Sequence, residues 1–153
     1  LLKRINNELE GTSDFDIVMW VVVSKEVNVD RIQKTVLRRL KSTYYEDKTE
    51  NQVAIFKALR NKKFVLLIDD LWLRLDLEEI GVPSLSQQTG SKIIFTTRSE
   101  KVCAQMKARK KIKINCLAWK NAWDLFKGNV GEVDLETPSE IANLAERVAE
   151  ECQ

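Results

Sequence analysis

Two short apolar runs that stop abruptly in polar residues constrain the fold of this 153-residue chain more than any other feature. Phe64-Val65-Leu66-Leu67-Ile68 runs into Asp69-Asp70-Leu71-Trp72, and Lys92-Ile93-Ile94-Phe95 runs into Thr96-Thr97-Arg98. Apolar residues that do not alternate with polar ones fit a strand covered on both faces, as in a parallel sheet flanked by helices. In open α/β sheets the ligand sits at the carboxyl ends of the strands. Two carboxylates at one such end and an arginine at a neighbouring end suit a polyphosphate with its Mg²⁺. The metal takes hard oxygen ligands, and the phosphate takes a fixed cation.

The remaining pattern alternates helices and strands. Leu2, Ile5 and Leu9 mark one helical face, and Gly11-Thr12-Ser13-Asp14 a turn. Ile17 to Val23 is a β-branched strand. Asn28 is placed to cap a helix with Ile32, Val36, Leu37 and Leu40 on one face. After a polar connector from Ser42 to Glu50, a short helix is expected with Val53, Phe56 and Leu59 as its apolar positions. A long connection from Leu73 to Ser91 leads to the second diagnostic strand, and Ser99 can cap a helix bearing Val102 and Met106. Lys111-Ile112-Lys113-Ile114 reads as a short alternating strand. From Leu117 the periodicity is helical only: Trp119, Ala122, Trp123 and Phe126 recur at three and four, with the tryptophans expected to pack at the joint between two layers. Thr137-Pro138-Ser139-Glu140 is a capping-box start for a helix with Ile141, Leu144, Ala145, Val148 and Cys152 as its stripe. An α/β layer is therefore expected over residues 1–116, and the opening of a helical subdomain over 117–153.

Composition narrows the function classes. With 25 basic and 23 acidic residues the net charge is +2, without the basic excess of an electrostatic nucleic-acid binder. Arg38-Arg39 with Lys41, and the cluster from Lys107 to Lys113, read as solvated faces. The absence of histidine excludes Ser-His and Cys-His nucleophilic chemistry within the segment. Cys103, Cys116 and Cys152 are too scattered for a zinc site or a disulfide framework, and reduced thiols are expected. No apolar stretch approaches the ~20 residues of a membrane span.

At the strand ends an Asp can hold Mg²⁺ through its water shell, and an adjacent carboxylate can orient or deprotonate a water attacking a γ-phosphate. Side chains alternate along a regular strand, so Asp69 and Asp70 are expected to take distinct roles. The competing structural reading is that Asp-Asp merely ends a strand and caps the next turn. Arg98 is either a surface charge or a guanidinium that distinguishes a triphosphate from a diphosphate. The chain opens within a helix, where the helix after a phosphate loop would lie, and no stretch matches G-x-x-x-x-G-K-[ST]. The glycine-rich cradle is accordingly expected upstream of Leu1.

Four blocks in order carry a resemblance. They are Phe15 to Ser24 (Phe-Asp-Ile-Val-Met-Trp-Val-Val-Val-Ser), Lys63 to Trp72, Gly90 to Arg98, and Leu117 through Ala122-Trp123-Asp124-Leu125-Phe126. Together they resemble the NB-ARC domain of plant disease-resistance proteins, the nucleotide-binding switch of leucine-rich-repeat immune receptors. Trp72 and the Phe15-Asp16…Trp20 block resemble the coiled-coil, non-Toll subclass; Leu71 replaces the usual valine. The resemblance implies a P-loop NTPase-type parallel sheet whose central first strand lies before Leu1, followed by the start of the ARC helical subdomain. The Gly-Leu-Pro-Leu block would then follow Gln153. It implies that Asp69 is the Mg²⁺-associated Walker B carboxylate, Asp70 the residue of hydrolysis, and Arg98, with Thr97 beside it, the sensor of the terminal phosphate. The cofactors implied are ADP/ATP and Mg²⁺, in a slow ATPase-type switch whose diphosphate form rests and whose triphosphate form signals.

Implied partners are the coiled-coil and leucine-rich-repeat regions of the same parent chain, a pathogen effector or guarded host protein reached through those regions, and further copies on activation. The implied setting is cytoplasmic, with no nucleic acid and no membrane span in this segment. Two rivals differ in class. An AAA-type ATPase would more often end its Walker B strand in Asp-Glu than in the Asp69-Asp70 found here. An α/β interaction module would bind no nucleotide.

Overall fold

The structure is a computed structural model and describes residues 1–23, 26–85, 90–130 and 140–151. In chain order the elements are α1 (Leu2–Glu10), β1 (Ile17–Val22), α2 (Val29–Arg39), α3 (Lys48–Leu59), β2 (Phe64–Asp69), α4 (Leu77–Ile80), β3 (Lys92–Phe95), α5 (Glu100–Gln105), α6 (Trp119–Val130) and α7 (Glu140–Glu151). They fall into two units, Leu1–Lys110 and Lys111–Gln153.

In the first unit the three strands form a parallel sheet in the order β1-β2-β3. Partners such as Met19↔Leu66 and Leu66↔Ile93 stand side by side and share a face. The reason for the non-alternating run is visible in the two cores. Val65 and Leu67 point to the face where Leu2, Ile5 and Leu9 of α1 pack. Phe64, Leu66 and Ile68 point to the other face, against Ile32, Val36 and Leu37 of α2, Ile55 and Leu59 of α3, and Ile80 of α4. Each of the five apolar residues of β2 is at most 1% exposed. This is the expected α/β architecture of a parallel sheet flanked by helices.

Caps and one glycine fix the connections. Asn28 accepts from the Arg31 amide at 3.0 Å, as its position before α2 predicts. Asp47 accepts from the amides of Thr49 and Glu50, which holds its carboxyl below the usual aspartate value. Ser99 occupies the N-cap position of α5 but makes no side-chain cap bond. Gly81 ends α4 at φ 100°, where a Cβ would fall on the Gln52 carbonyl, so the residue that caps this helix must be glycine. Gln33, fully buried in α2, donates to the Lys48 and Glu79 carbonyls and ties α2 to the starts and ends of its neighbours.

Several expectations are corrected. In α3 the buried face is Asn51, Ile55 and Leu59, while Val53 and Phe56 are 44% and 45% exposed. Asn51 turns inward because its amide closes two bonds with the Tyr45 backbone, both at 2.8 Å, and it carries the helix face with it. Lys111 to Ile114 form no strand, and Ile112 and Ile114 lie exposed. Alternation alone makes no strand where no neighbouring backbone pairs with it.

In the second unit Trp119 stacks on Trp123 (centroids 5.8 Å apart) and Trp123 on Phe126 (5.6 Å), a ladder along α6. Against α6, α7 buries Ala145 and Ala149, whereas Leu144 and Val148 of the expected stripe are exposed. α6 packs against α7, and one helix covers only one strip of another. The capping-box residues Thr137 to Ser139, the side chain of Ile141, and Cys152 lie outside the described residues.

Candidate functional site

The carboxyl ends of β2 and β3 bring the expected residues together. Asp69 is the last residue of β2, and its carbonyl accepts from Val23 just beyond β1. Asp70 follows at φ 58°, a left-handed conformation that aspartate tolerates better than most residues. The strand therefore does not stay regular through the pair. Backbone bonds from Thr96 N to Ile68 O (3.0 Å) and Leu71 N to Thr96 O (2.8 Å) carry the β2–β3 pairing past the left-handed residue.

Thr96 is the hub of this end, and sequence reasoning passed over it in favour of Thr97. Its hydroxyl donates to Asp69 Oδ1 at 2.7 Å and accepts from the Asp70 backbone amide at 2.9 Å. One threonine thus fixes the Asp69 carboxylate and the turn at Asp70. The available signal was register: Ile68↔Phe95 pairing places Thr96 opposite Asp69. Thr97 instead accepts from the Ser99 amide at 3.1 Å, opening the turn into α5.

Asp70 and Arg98 are also neighbours, with Arg98 Nε 3.9 Å from Asp70 Oδ1. Both are well exposed, the arginine side chain at 80% and the aspartate at 46%, so the pair is a loose one worth ~1 kcal/mol or less. Trp72 touches both: its indole Nε1 donates to Asp70 Oδ2 at 2.9 Å, and the Arg98 guanidinium lies over its ring at 5.6 Å.

The donor set can be tested against a metal. Among the described residues no cluster of three or more His, Cys, Asp or Glu could hold an ion by itself. Asp69 has one oxygen fixed by Thr96 and a second with no hydrogen-bond partner among the described residues. One oriented carboxylate fits Mg²⁺, which keeps most of its water and takes further ligands from phosphate. It would not suffice for a structural calcium or zinc site. Among the described residues no helix is long and apolar enough to cross a membrane.

The model of the family described as "NB-ARC domain" matches residues 1–136. Three proteins of Arabidopsis thaliana are similar along 99% of the chain: "Probable disease resistance protein At5g43730" at 48% identity, "Probable disease resistance protein At5g43740" at 47%, and "Probable disease resistance protein At1g15890" at 47%. The chain spans 18% of the length of each of these relatives. A parallel sheet with Asp69-Asp70 and Arg98 at adjacent strand ends, and a family match covering most of the sequence, place this chain in the NB-ARC domain family, a family of nucleotide-binding, P-loop NTPase-type domains.

Proposed function

We propose that these residues are the metal- and terminal-phosphate-handling part of an ADP/ATP switch in a larger plant disease-resistance receptor. The observation that carries the reading is that Thr96 fixes the Asp69 carboxylate and the Asp70 backbone at the carboxyl ends of adjacent parallel strands, with Arg98 Nε 3.9 Å from Asp70 Oδ1. Asp69 is assigned to hold Mg²⁺, which when bound would offset the charge of the phosphates. Asp70 is assigned to the water: it takes the proton as the water oxygen attacks the γ-phosphorus, the β–γ bridging bond breaks, and ADP leaves.

Arg98 is assigned to the terminal phosphate, with Thr97 fixing the turn beside it. Its existing tie to Asp70 is weak, whereas a charge-assisted bond to phosphate contributes about 1.5–3 kcal/mol, so a γ-phosphate can recruit it. A contact made to ATP and not to ADP shifts the population between two receptor states, which is how a bound nucleotide becomes a signal. The adenine preference, the cytoplasmic setting, and the partners (coiled-coil and leucine-rich-repeat regions of the same receptor, an effector or guarded host protein, further copies on activation) follow from the family resemblance.

The test is Asp69→Ala in the full-length receptor carrying this segment. Titration calorimetry with and without Mg²⁺ should show a greater loss for Mg²⁺-ATP than for ADP. Equal losses for both nucleotides, independent of metal, would mean that Asp69 only ends the strand.

A further inference from the structure

We infer that Trp72 is a positioning residue that couples the two halves of the candidate site, holding Asp70 with its indole N–H and Arg98 with its ring face. The inference rests on the nucleotide reading above.

Arg98 and Asp70 cannot hold each other in place. Their closest approach of 3.9 Å is longer than a hydrogen bond, and the arginine side chain is largely in solvent while the aspartate is half-exposed. An arginine in that setting samples many rotamers and loses entropy on being fixed. The structure supplies what the ion pair lacks. The left-handed turn at Asp70 brings the chain round so that Trp72, two residues on, donates to Asp70 Oδ2 at 2.9 Å. The same indole presents its ring to the Arg98 guanidinium at 5.6 Å, a cation–π distance.

Geometry separates the two tasks. A guanidinium held over a ring at cation–π distance needs no oxygen acceptor for that contact. Here Nε is the atom nearest Asp70, which leaves the two terminal nitrogens for an anion such as a phosphate. Asp70 in turn has Oδ2 held by the indole and Oδ1 toward Arg98, so the indole is what fixes its carboxylate. Trp72 itself remains 37% exposed, so its position is not explained by core burial. An adjacent residue, Leu71, is the one that fills the core at 1% exposure.

The two contacts use different parts of the side chain, so two substitutions separate them. Trp72→Phe keeps an aromatic face and removes the N–H; Trp72→Leu removes both. In the full-length receptor, the expected result for Trp72→Phe is phosphate release about tenfold slower with the ATP-to-ADP affinity ratio retained. Trp72→Leu should slow release to a similar extent and also shift the ratio about threefold toward ADP. Circular dichroism on each variant checks that the fold is intact, as expected for a side chain in partial contact with solvent. Asp70→Ala and Arg98→Ala are run alongside.

If those two variants alter release and ratio while both Trp72 variants match the wild type, the positioning role is overturned and the nucleotide reading stands. If Trp72→Phe and Trp72→Leu move both readouts identically, the ring and the N–H are not separate devices and the inference is likewise overturned. If Asp70→Ala and Arg98→Ala change neither readout, the nucleotide reading itself fails and takes the inference with it.

Discussion

The two ends of the same sheet are both polar, yet they are built on different plans. At the amino end the side-chain hydrogen bonds close on backbone, while the Lys63 ammonium lies over the Phe15 ring at 5.1 Å. Asp16 accepts from the Lys63 amide at 2.8 Å, and Ser91 accepts from the Phe64 amide at 3.0 Å while donating to the Lys62 carbonyl at 3.1 Å. At the carboxyl end Thr96 and Thr97 also accept from backbone amides, but side chains close on one another as well: Thr96 on Asp69, and Trp72 and Arg98 on Asp70. The first plan fastens strands. The second keeps two carboxylates and a guanidinium oriented, with donors and acceptors still available to something outside the chain. Polar residues at a strand end therefore say little until it is known what they bond to.

Substitutions at the two ends should separate these plans. The largest effect is expected at Asp70. In the full-length receptor Asp70→Ala should lower ATP hydrolysis by about 10²-fold or more, the usual contribution of a positioned base, read as phosphate release. An unchanged rate would leave Asp70 as no more than an anchor for Trp72 and Arg98, and the contrast between the ends would collapse.

Thr96 comes next, since it does both jobs at once. Thr96→Val keeps the branched shape and removes the hydroxyl that orients Asp69, so Mg²⁺-ATP affinity should fall about tenfold. Thr96→Ser, which restores the hydroxyl, should recover most of it. If serine is no better than valine, the threonine acts through its methyl group and packing.

The smallest effect is at the amino end and is of another kind. Ser91→Ala should cost about 1 kcal/mol in urea unfolding, because it takes the partner from the Phe64 amide. Nucleotide affinity should not change. A nucleotide effect from Ser91 comparable to that from Thr96 would erase the distinction between a fastening end and a working end.

The sheet was legible because burial on both faces writes a pattern that needs no tertiary knowledge: Phe64 to Ile68 can hardly be anything but a covered strand. The face of α1 and the cap at Asn28 were legible for the same reason, as local periodicity and local hydrogen bonding decide them. The face of α3 was not, because Asn51 is drawn inward by the Tyr45 backbone, a polar contact that a pattern of apolar residues cannot encode. The Lys111 to Ile114 reading failed because alternation reports a preference and not the presence of a partner. At the site, residue types and order pointed to Asp69, Asp70 and Arg98, whereas the choice between Thr96 and Thr97 depended on register across two strands. The left-handed turn at Asp70, which lets Trp72 reach back, has no signature in composition or spacing.

The claim that the carboxyl end reads the terminal phosphate is tested most directly by titrating ATP and ADP into the full-length receptor, wild type and Arg98→Ala, by isothermal calorimetry. The account predicts that the variant stays folded and its ATP-to-ADP affinity ratio drops about tenfold or more, the loss of one charge-assisted contact to phosphate. A ratio equal to that of the wild type would contradict it and leave Arg98 a surface residue resting on Trp72.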